Sequence, residues 1–367
     1  MIEEGAGNLL TADVEAVVNT VNTVGVMGKG IALQFKRAYP ANFAAYRAAC
    51  DRGEVRLGEM FVFDTAIKGP RRYVINFPTK QHWKSNSRLA DVKAGLDDLV
   101  RVVIERRISS IAVPALGCGN GGLDWQVVRP LIEQACARMP DVRAVIFSPA
   151  GAPPADSMPN ATPKPTLTAL RALMIVAISR YLERARQQEV RFGVSELEIQ
   201  KLVYLLKRLG GDFPLRFVRG IYGPYADKLA HVLDRLEGHY LSGFGDHSAR
   251  VTELVPIVPL EAGVVEAEVV VRKRPEDVAR LERLLALVDG FETPYSLELL
   301  ATVDFAASQE PPTADPEEIG GRVAAWSLRK ARLFTQDHVN VAAQRLAEHH
   351  LLPGHHDVSR SGAGRGS

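Results

Sequence analysis

Residues 17–35 read Val-Val-Asn-Thr-Val-Asn-Thr-Val-Gly-Val-Met-Gly-Lys-Gly-Ile-Ala-Leu-Gln-Phe. A β-branched run delivers Asn19 and Asn22 at its carboxyl end, a loop spaced by Gly25, Gly28 and Gly30 follows, and an apolar helical pattern starts at once. Strand, glycine loop and helix in that order form a unit of an open α/β sheet. Loops at the carboxyl ends of such strands are where ligands bind, and glycines let backbone N–H groups close on a phosphate at the start of the next helix. The spacing matches neither G-x-x-x-x-G-K-[ST] nor G-x-G-x-x-G, so Lys29 is not read as the lysine of a nucleotide hydrolase. A second loop of the same kind, Gly117-Cys118-Gly119-Asn120-Gly121-Gly122-Leu123-Asp124, follows another apolar run. Two glycine loops at strand ends, each opening a helix, suit a ligand that carries two linked phosphates.

Around these loops, short apolar runs alternate with helical patterns and mark residues 1–150 as one α/β domain. Strands are expected over 16–21, 59–65, 72–77, 110–116 and 142–147. A helix is expected from Ser87, as N-cap, to about Arg107, because Leu89, Val92, Leu96, Leu99, Val103 and Ile104 share one face. Another is expected over 125–139, capped by Asp124. Six prolines between 149 and 165 then end the pattern, and 151–166 reads as a linker. Residues 167–350 read as a second, mainly helical domain, with candidate helices at 167–188, 195–209, 225–237, 275–288, 296–305 and 322–330. Within it 264–271 looks like a strand, and 251–258 like a weaker one. The tail, 351–367, is expected to be disordered. Its histidines, His355 and His356, with His349 and His350 just before it, are read as solvated residues rather than a metal site.

Length and composition agree with two domains: 367 residues, 46% of them hydrophobic, can bury two cores. Residues 1–150 hold 19 Lys and Arg against 15 Asp and Glu, leaving 26 against 28 for the rest, so the first half is mildly basic and the second mildly acidic. No apolar run approaches the roughly 20 residues that span a bilayer, so no membrane partner is expected. Cys50, Cys118 and Cys136 are odd in number and lack metal spacing, so neither disulfides nor a thiolate metal site is expected, and a reducing cytoplasm is the natural setting. No metal and no cofactor is called for.

Gly7-Asn8-Leu9-Leu10, the Asn19/Asn22 pair, Gly28-Lys29-Gly30-Ile31-Ala32 and Pro114-Ala115-Leu116-Gly117-Cys118-Gly119 together resemble the macrodomain, an ADP-ribose-binding fold. With the Val-Asn-Thr-Val-Asn-Thr opening and Phe77-Pro78-Thr79-Lys80, the chain is most similar to the DarG-type branch of DNA ADP-ribosyl glycohydrolases, antitoxins whose partner is a DarT-type DNA ADP-ribosyltransferase toxin. The resemblance covers residues 1–150; beyond them it rests on domain order and phrases such as Ile221-Tyr222-Gly223-Pro224-Tyr225. It implies an α/β macrodomain, a mixed sheet in an α/β/α sandwich, followed by a mainly helical toxin-binding domain. It also implies that Asn8, Leu9, Asn19, Thr20, Gly28, Gly30, Ile31, Ala32, Thr79, Gly117, Cys118, Gly119, Asn120, Gly121 and Phe147 surround ADP-ribose, with Lys80 and Asn22 at the reaction. Two positions depart from the wider family: Asn8 stands where an aspartate often receives the adenine amine, and Gly121 where the human terminal ADP-ribose glycohydrolase has an aspartate paired with its lysine.

The chemistry gives these residues roles. Cleaving ADP-ribose from a base puts oxocarbenium character on the distal ribose and charge on the leaving base. A lysine near a thymine imide nitrogen can oppose that charge, donate a proton, or attack if its pKa falls. Lys80 is that candidate, and Lys84 is read as a solvated lysine of no special role. Asn22 would orient the ribose or a water, or else brace the loop backbone. Cys118 has no histidine to activate it and is read as a packed small residue. The expected substrate is ADP-ribosylated, single-stranded DNA. Two other readings stand beside this one: a macrodomain that only reads ADP-ribose, and a DNA-binding regulator using 195–209 and 225–237 as a helix-turn-helix pair.

Overall fold

A computed structural model describes residues 1–188, 191–247 and 256–353. The chain divides into two compact units: Met1–Pro163 with residues 245–247, and Lys164–Phe244 with residues 256–353. Of the stretch expected as a linker, residues 151–163 therefore lie with the first unit. They are tied there by Asn8 Nδ2 donating to the Ser157 carbonyl at 3.1 Å and by Ala161 N–H donating to the Arg37 carbonyl at 2.9 Å.

The first unit is a six-stranded sheet built from β1 (Ile2–Glu4), β2 (Ala16–Asn22), β3 (Phe61–Asp64), β4 (Tyr73–Lys80), β5 (Ser110–Val113) and β6 (Arg143–Ile146), ordered β1-β6-β5-β2-β4-β3. Every pairing is parallel except β3 with β4. Its central strands β2, β4 and β5 are buried on both faces. The apolar runs 16–18, 73–75 and 111–113 line them up to the point where the buried polar residues Asn19 and Asn76 begin the carboxyl ends of β2 and β4. Ala16 and Val18 point into a core with α3 (Leu89–Glu105) and α4 (Trp125–Ala137), while Val17 and Val21 point to the other face, which holds α1 (Gly30–Ala38) and α2 (Pro40–Asp51). The result is the expected mixed sheet between helices. After β2 the chain runs towards β4 and β3, whereas after β5 it runs towards β6. The loops leaving the neighbouring strands β2 and β5 thus diverge, and such a switch point is where open sheets bind ligands. These are the two glycine loops.

Two local expectations fail here. Ser87 does not cap α3; Arg88 occupies that position, and the buried Ser87 Oγ packs against the second glycine loop. The run 110–116 is strand only to Val113, since Pro114 cannot donate to a ladder. Asp124 does cap α4, accepting from Gln126 N–H at 2.9 Å.

The second unit is built around two helices buried almost all round, α6 (Glu196–Arg208) and α10 (Pro294–Ala307). Around them pack α5 (Ala169–Gln188), α7 (Asp227–Leu236), α8 (Glu261–Arg272), α9 (Pro275–Leu287), α11 (Pro316–Ala324), α12 (Leu328–Leu333) and α13 (Gln336–Glu348), in one apolar core. The expected strand at 264–271 is wrong: it lies inside α8, where Gly263, Ala267 and Val271 recur every four residues on the buried face while Val265 and Val269 are exposed. The expected helix at 322–330 is interrupted at 325–327, where Ser327 starts α12 as its N-cap. Of the weak strand 251–258, residues 256–258 are described: Ile257 bridges Val194, and Val258 opens β10 (Val258–Pro259) against β9 (Leu241–Ser242). Of the tail expected to be disordered, 351–367, Leu351 and Leu352 are instead buried in the second unit's core, and 354–367, with His355 and His356, lies outside the described residues. The helices α6 and α7 are separated by a hairpin of β7 (Val218–Gly220) and β8 (Gly223–Tyr225), not by the three- to four-residue turn of a helix-turn-helix.

Candidate active site

Lys80 is the last residue of β4, and its register partner on β2 is Asn22, across an irregularity between Val21 and Asn22. The two residues proposed for chemistry therefore end adjacent strands at the switch point. The Lys80 ammonium donates to the Asn120 carbonyl at 2.9 Å, inside the second glycine loop. Desolvation in this half-buried position lowers its pKa from the ordinary lysine value. Gly30 adopts φ +61°, which glycine allows, and a side chain there would lie 3.2 Å from Asn120 Nδ2. Lys80, Asn120 and Gly30 thus bring β4 and both loops to one place.

The second loop is closed by its own backbone. Leu123 N–H donates to the Gly117 carbonyl at 3.0 Å, Gly122 N–H to the Gly119 carbonyl at 3.1 Å, and Ser87 N–H to the Gly121 carbonyl at 2.9 Å. A Cβ on Gly121 would come under 3.0 Å from both Ser87 Oγ and the Gly117 carbonyl, whereas one on Gly119 would meet open space. Among the described residues, the N–H groups of Gly119, Asn120 and Gly121 have no protein acceptor. They are the donors an anion would find. In the first loop, α1 starts without a side-chain cap, yet Gly30 N–H already donates to the Asp246 carbonyl at 2.8 Å.

Asn22 braces its own loop. Its Nδ2 donates to the Val26 carbonyl at 2.6 Å, and its Oδ1 accepts from Val24 N–H at 3.1 Å and Val26 N–H at 3.3 Å. The buried Tyr46 hydroxyl donates to the Asn22 carbonyl. One Nδ2 hydrogen remains for a ligand. Asn19 is fully buried, with Nδ2 on Asn76 Oδ1 at 3.0 Å, and Asn76 in turn donates to Asn42 Oδ1 at 2.7 Å. Asn19 thereby fixes the sheet to α2, inside the protein. Asn8 is likewise engaged: Oδ1 accepts from Leu10 N–H at 2.9 Å and caps the turn Leu9–Thr11. Thr79 is buried with its hydroxyl on the Val21 carbonyl at 3.4 Å, while Thr20, Ile31, Ala32 and Phe147 are half-buried. Phe147, just past β6, packs over Gly5. Cys118 Sγ faces the Leu116 carbonyl, and burial, with Asp124 second, raises its pKa to about 11. A protonated thiol is no nucleophile at neutral pH.

Sequence reasoning missed Tyr46, Asn76, Asn42 and the packed Ser87. Asn76 carried a signal, a polar residue inside the apolar run that becomes β4. Tyr46, on a helix outside both loops, carried none.

Among the described residues no group of three or more His, Cys, Asp or Glu could hold a metal, and no helix is long and apolar enough to cross a membrane.

Residues 18–132 match the Macro domain family model. A DNA ADP-ribosyl glycohydrolase of Mycobacterium tuberculosis is 44% identical over 353 residues, 94% of this chain and 99% of that protein. A DNA ADP-ribosyl transferase–DNA ADP-ribosyl glycohydrolase fusion protein of Thermosipho africanus is 35% identical over 141 residues, 34% of this chain and 36% of that protein. The solved macrodomain of Mycobacterium tuberculosis DarG is 59% identical, covering 41% of this chain and 99% of that one, with a TM-score of 0.41. Similarity along almost its whole length to a DNA ADP-ribosyl glycohydrolase, and a macrodomain carrying the lysine and both glycine loops, show that the chain belongs to the DarG-type DNA ADP-ribosyl glycohydrolase family of enzymes.

Proposed function

We propose that the first unit hydrolyses ADP-ribose from thymine in single-stranded DNA, and that the second unit binds and neutralises the toxin that attaches it. The observation that carries the first part is the meeting of Lys80 with Asn120 at 2.9 Å, beside Gly30 and opposite Asn22. The bond to be broken joins the anomeric carbon of the distal ribose to a thymine ring nitrogen. As it breaks, its electron pair leaves with the base, and positive charge builds on the ribose. An imide nitrogen accepts that pair, and the Lys80 ammonium lies in the cleft to oppose the charge. The ammonium already donates to a carbonyl, which suits a cation or proton donor and not an amine nucleophile. Water adds to the anomeric carbon and a proton goes to the base nitrogen, so the products are ADP-ribose and intact thymine. The free amides of Gly119, Asn120 and Gly121 would receive the phosphates, and the remaining Nδ2 hydrogen of Asn22 would hold a ribose hydroxyl or the water. The compartment would be the one that holds DNA, the bacterial cytoplasm.

The test is to incubate an oligonucleotide carrying one ADP-ribosylated thymine with the purified chain and read products by mass. Restored oligonucleotide plus free ADP-ribose supports the reading; an unchanged substrate under conditions where ADP-ribose binds would replace it with a non-catalytic reader.

For the second unit, support comes from its independent core and from the Thermosipho africanus relative, whose name joins transferase and glycohydrolase in one chain. Mixing the full chain carrying Lys80→Ala with the toxin on a sizing column tests it. Co-elution at micromolar concentrations is expected, and separate elution would refute it.

A further inference from the structure

Immediately beyond Lys80 the chain makes an exposed rim. Its ends are pinned: Thr23 N–H and Oγ1 donate to the Gln81 carbonyl at 3.2 and 2.9 Å, and Ser87 N–H donates to the Gly121 carbonyl at 2.9 Å. Residues 81–87 therefore bridge the exits of the two glycine loops. Between the pins, Ser85 N–H donates to the His82 carbonyl at 2.9 Å, closing a turn with Trp83 at its centre. Trp83 is 48% exposed. Its ring stacks on the His82 imidazole, with centroids 5.4 Å apart and planes at 30°. That imidazole is fixed in turn, its Nδ1 accepting from Lys84 N–H at 3.2 Å. The Lys84 ammonium lies 4.8 Å from the indole centroid. A single exposed aromatic is common on a protein surface, but this one is held in one orientation by His82, just beyond Lys80.

The charge nearby has one sign. From residue 80 to residue 90 the chain has Lys80, Lys84 and Arg88 and no aspartate or glutamate. An oriented aromatic among cations is how proteins hold single-stranded nucleic acid, with a base on the π face and phosphates on the ammonium groups. Trp83 is also in the right place: three residues from Lys80, its Cα is within roughly 11 Å of the Lys80 Cα by chain length alone. That is about the reach of one nucleotide. A thymine whose attached ADP-ribose enters the cleft has to leave the base stack, which exposes the face of its neighbour.

We infer that Trp83, backed by His82 and flanked by Lys84, is a stacking platform for the nucleobase next to the modified thymine. The platform takes any base, since stacking does not read hydrogen-bonding edges, and Lys84 swings from the ring to the adjoining phosphate as the base arrives. It therefore gives the enzyme a preference for a modified thymine within a strand over an isolated one. The inference rests on the reading of DNA as the substrate, and the experiment keeps the two apart.

Full-length wild type, Trp83→Ala and Trp83→Phe are compared on three substrates: an ADP-ribosylated thymine oligonucleotide, the same strand with abasic sites on both sides of the modified thymine, and ADP-ribosylated thymidine alone. Trp83→Ala should raise KM for the intact oligonucleotide roughly 5- to 150-fold. It should leave kcat, turnover of the nucleoside and affinity for ADP-ribose unchanged, and Trp83→Phe should keep most of the wild-type KM. In wild type the abasic strand should lose as much as the alanine variant does, with no further loss when the two are combined. An equal loss on nucleoside and oligonucleotide would overturn the inference, because Trp83 would then serve ADP-ribose or the fold; so would no loss on either. If wild type releases nothing from any DNA substrate, the functional reading fails, and binding of the labelled modified strand by anisotropy still decides the platform. Equal affinity of wild type and Trp83→Ala for that strand would end it.

Discussion

Within one loop, two glycines should respond in opposite ways to the same added methyl. At Gly121 a Cβ would press on Ser87 Oγ and the Gly117 carbonyl at under 3.0 Å, and neither can retreat freely. Ser87 is buried between the loop and α3, and the Gly117 carbonyl already holds Leu123 N–H at 3.0 Å. Overpacking of this kind costs about 1–3 kcal/mol. If that cost falls on the arrangement that presents the free amides, ADP-ribose should bind roughly 5- to 150-fold more weakly to Gly121→Ala. Gly119 has no neighbour within 4 Å of its would-be Cβ, and its φ is not in the left-handed region, so Gly119→Ala should leave the fold undisturbed. Only larger groups at 119, such as valine, should fill the cleft and exclude ligand. Titration calorimetry with ADP-ribose, paired with a thermal melt of each variant, checks this. Equal losses at the two positions, or a larger loss in Gly119→Ala, would refute the geometry given for the loop.

Other outcomes follow from the charged groups. If Lys80 works as a cation, activity should fall as pH rises through its lowered pKa, earlier than the ordinary lysine value of 10.5; a pH–rate profile of Lys80→Arg, which stays charged, should lack that alkaline limb. In the second unit Lys201 is buried under the β7–β8 hairpin, its ammonium on the Pro224 carbonyl at 2.8 Å, and desolvation brings its pKa down to about 7. Between that value and the ordinary 10.5 the unfolded chain binds a proton the folded chain lacks, so stability should rise with pH across this window, and urea midpoints of Lys201→Met should show a shallower rise. Glu298 partners the fully buried Lys330, so Glu298→Ala should cost about 3–5 kcal/mol in the same urea assay by stranding a buried charge. Turnover should survive chelation with EDTA, because the described residues offer no metal-ligand cluster; loss reversed by one divalent ion would contradict it.

What could be read from the sequence was whatever local patterning controls. The β-branched run of β2, the two glycine loops and the cap Asp124 each declare themselves within a few residues. The failures came where tertiary packing decides. Val264, Val265, Val269, Val270 and Val271 have β-forming side chains, yet the small residues Gly263 and Ala267 let that segment lie as a helix against the core. Ser87 has the chemistry of a cap, but the second glycine loop claims its hydroxyl side. At the site, motif recognition singled out Asn19 and Asn22 without separating them. The structure buries Asn19 in a network with Asn76 and leaves Asn22 at the strand end, where Tyr46, far away in sequence, holds its backbone carbonyl.

On the proposed mechanism Lys80 sits at the breaking bond while the second glycine loop holds the phosphates. A unit charge about 4 Å from the developing charge, at an effective dielectric of about 20, is worth about 4 kcal/mol. That corresponds to roughly a thousandfold in rate. The most direct measurement is the single-turnover rate of wild type and Lys80→Ala on one ADP-ribosylated thymine oligonucleotide, with ADP-ribose affinity measured on the same preparations. A rate lower by about a thousandfold at unchanged affinity is the predicted result. Equal rates, or a rate loss fully matched by lost affinity, would contradict it.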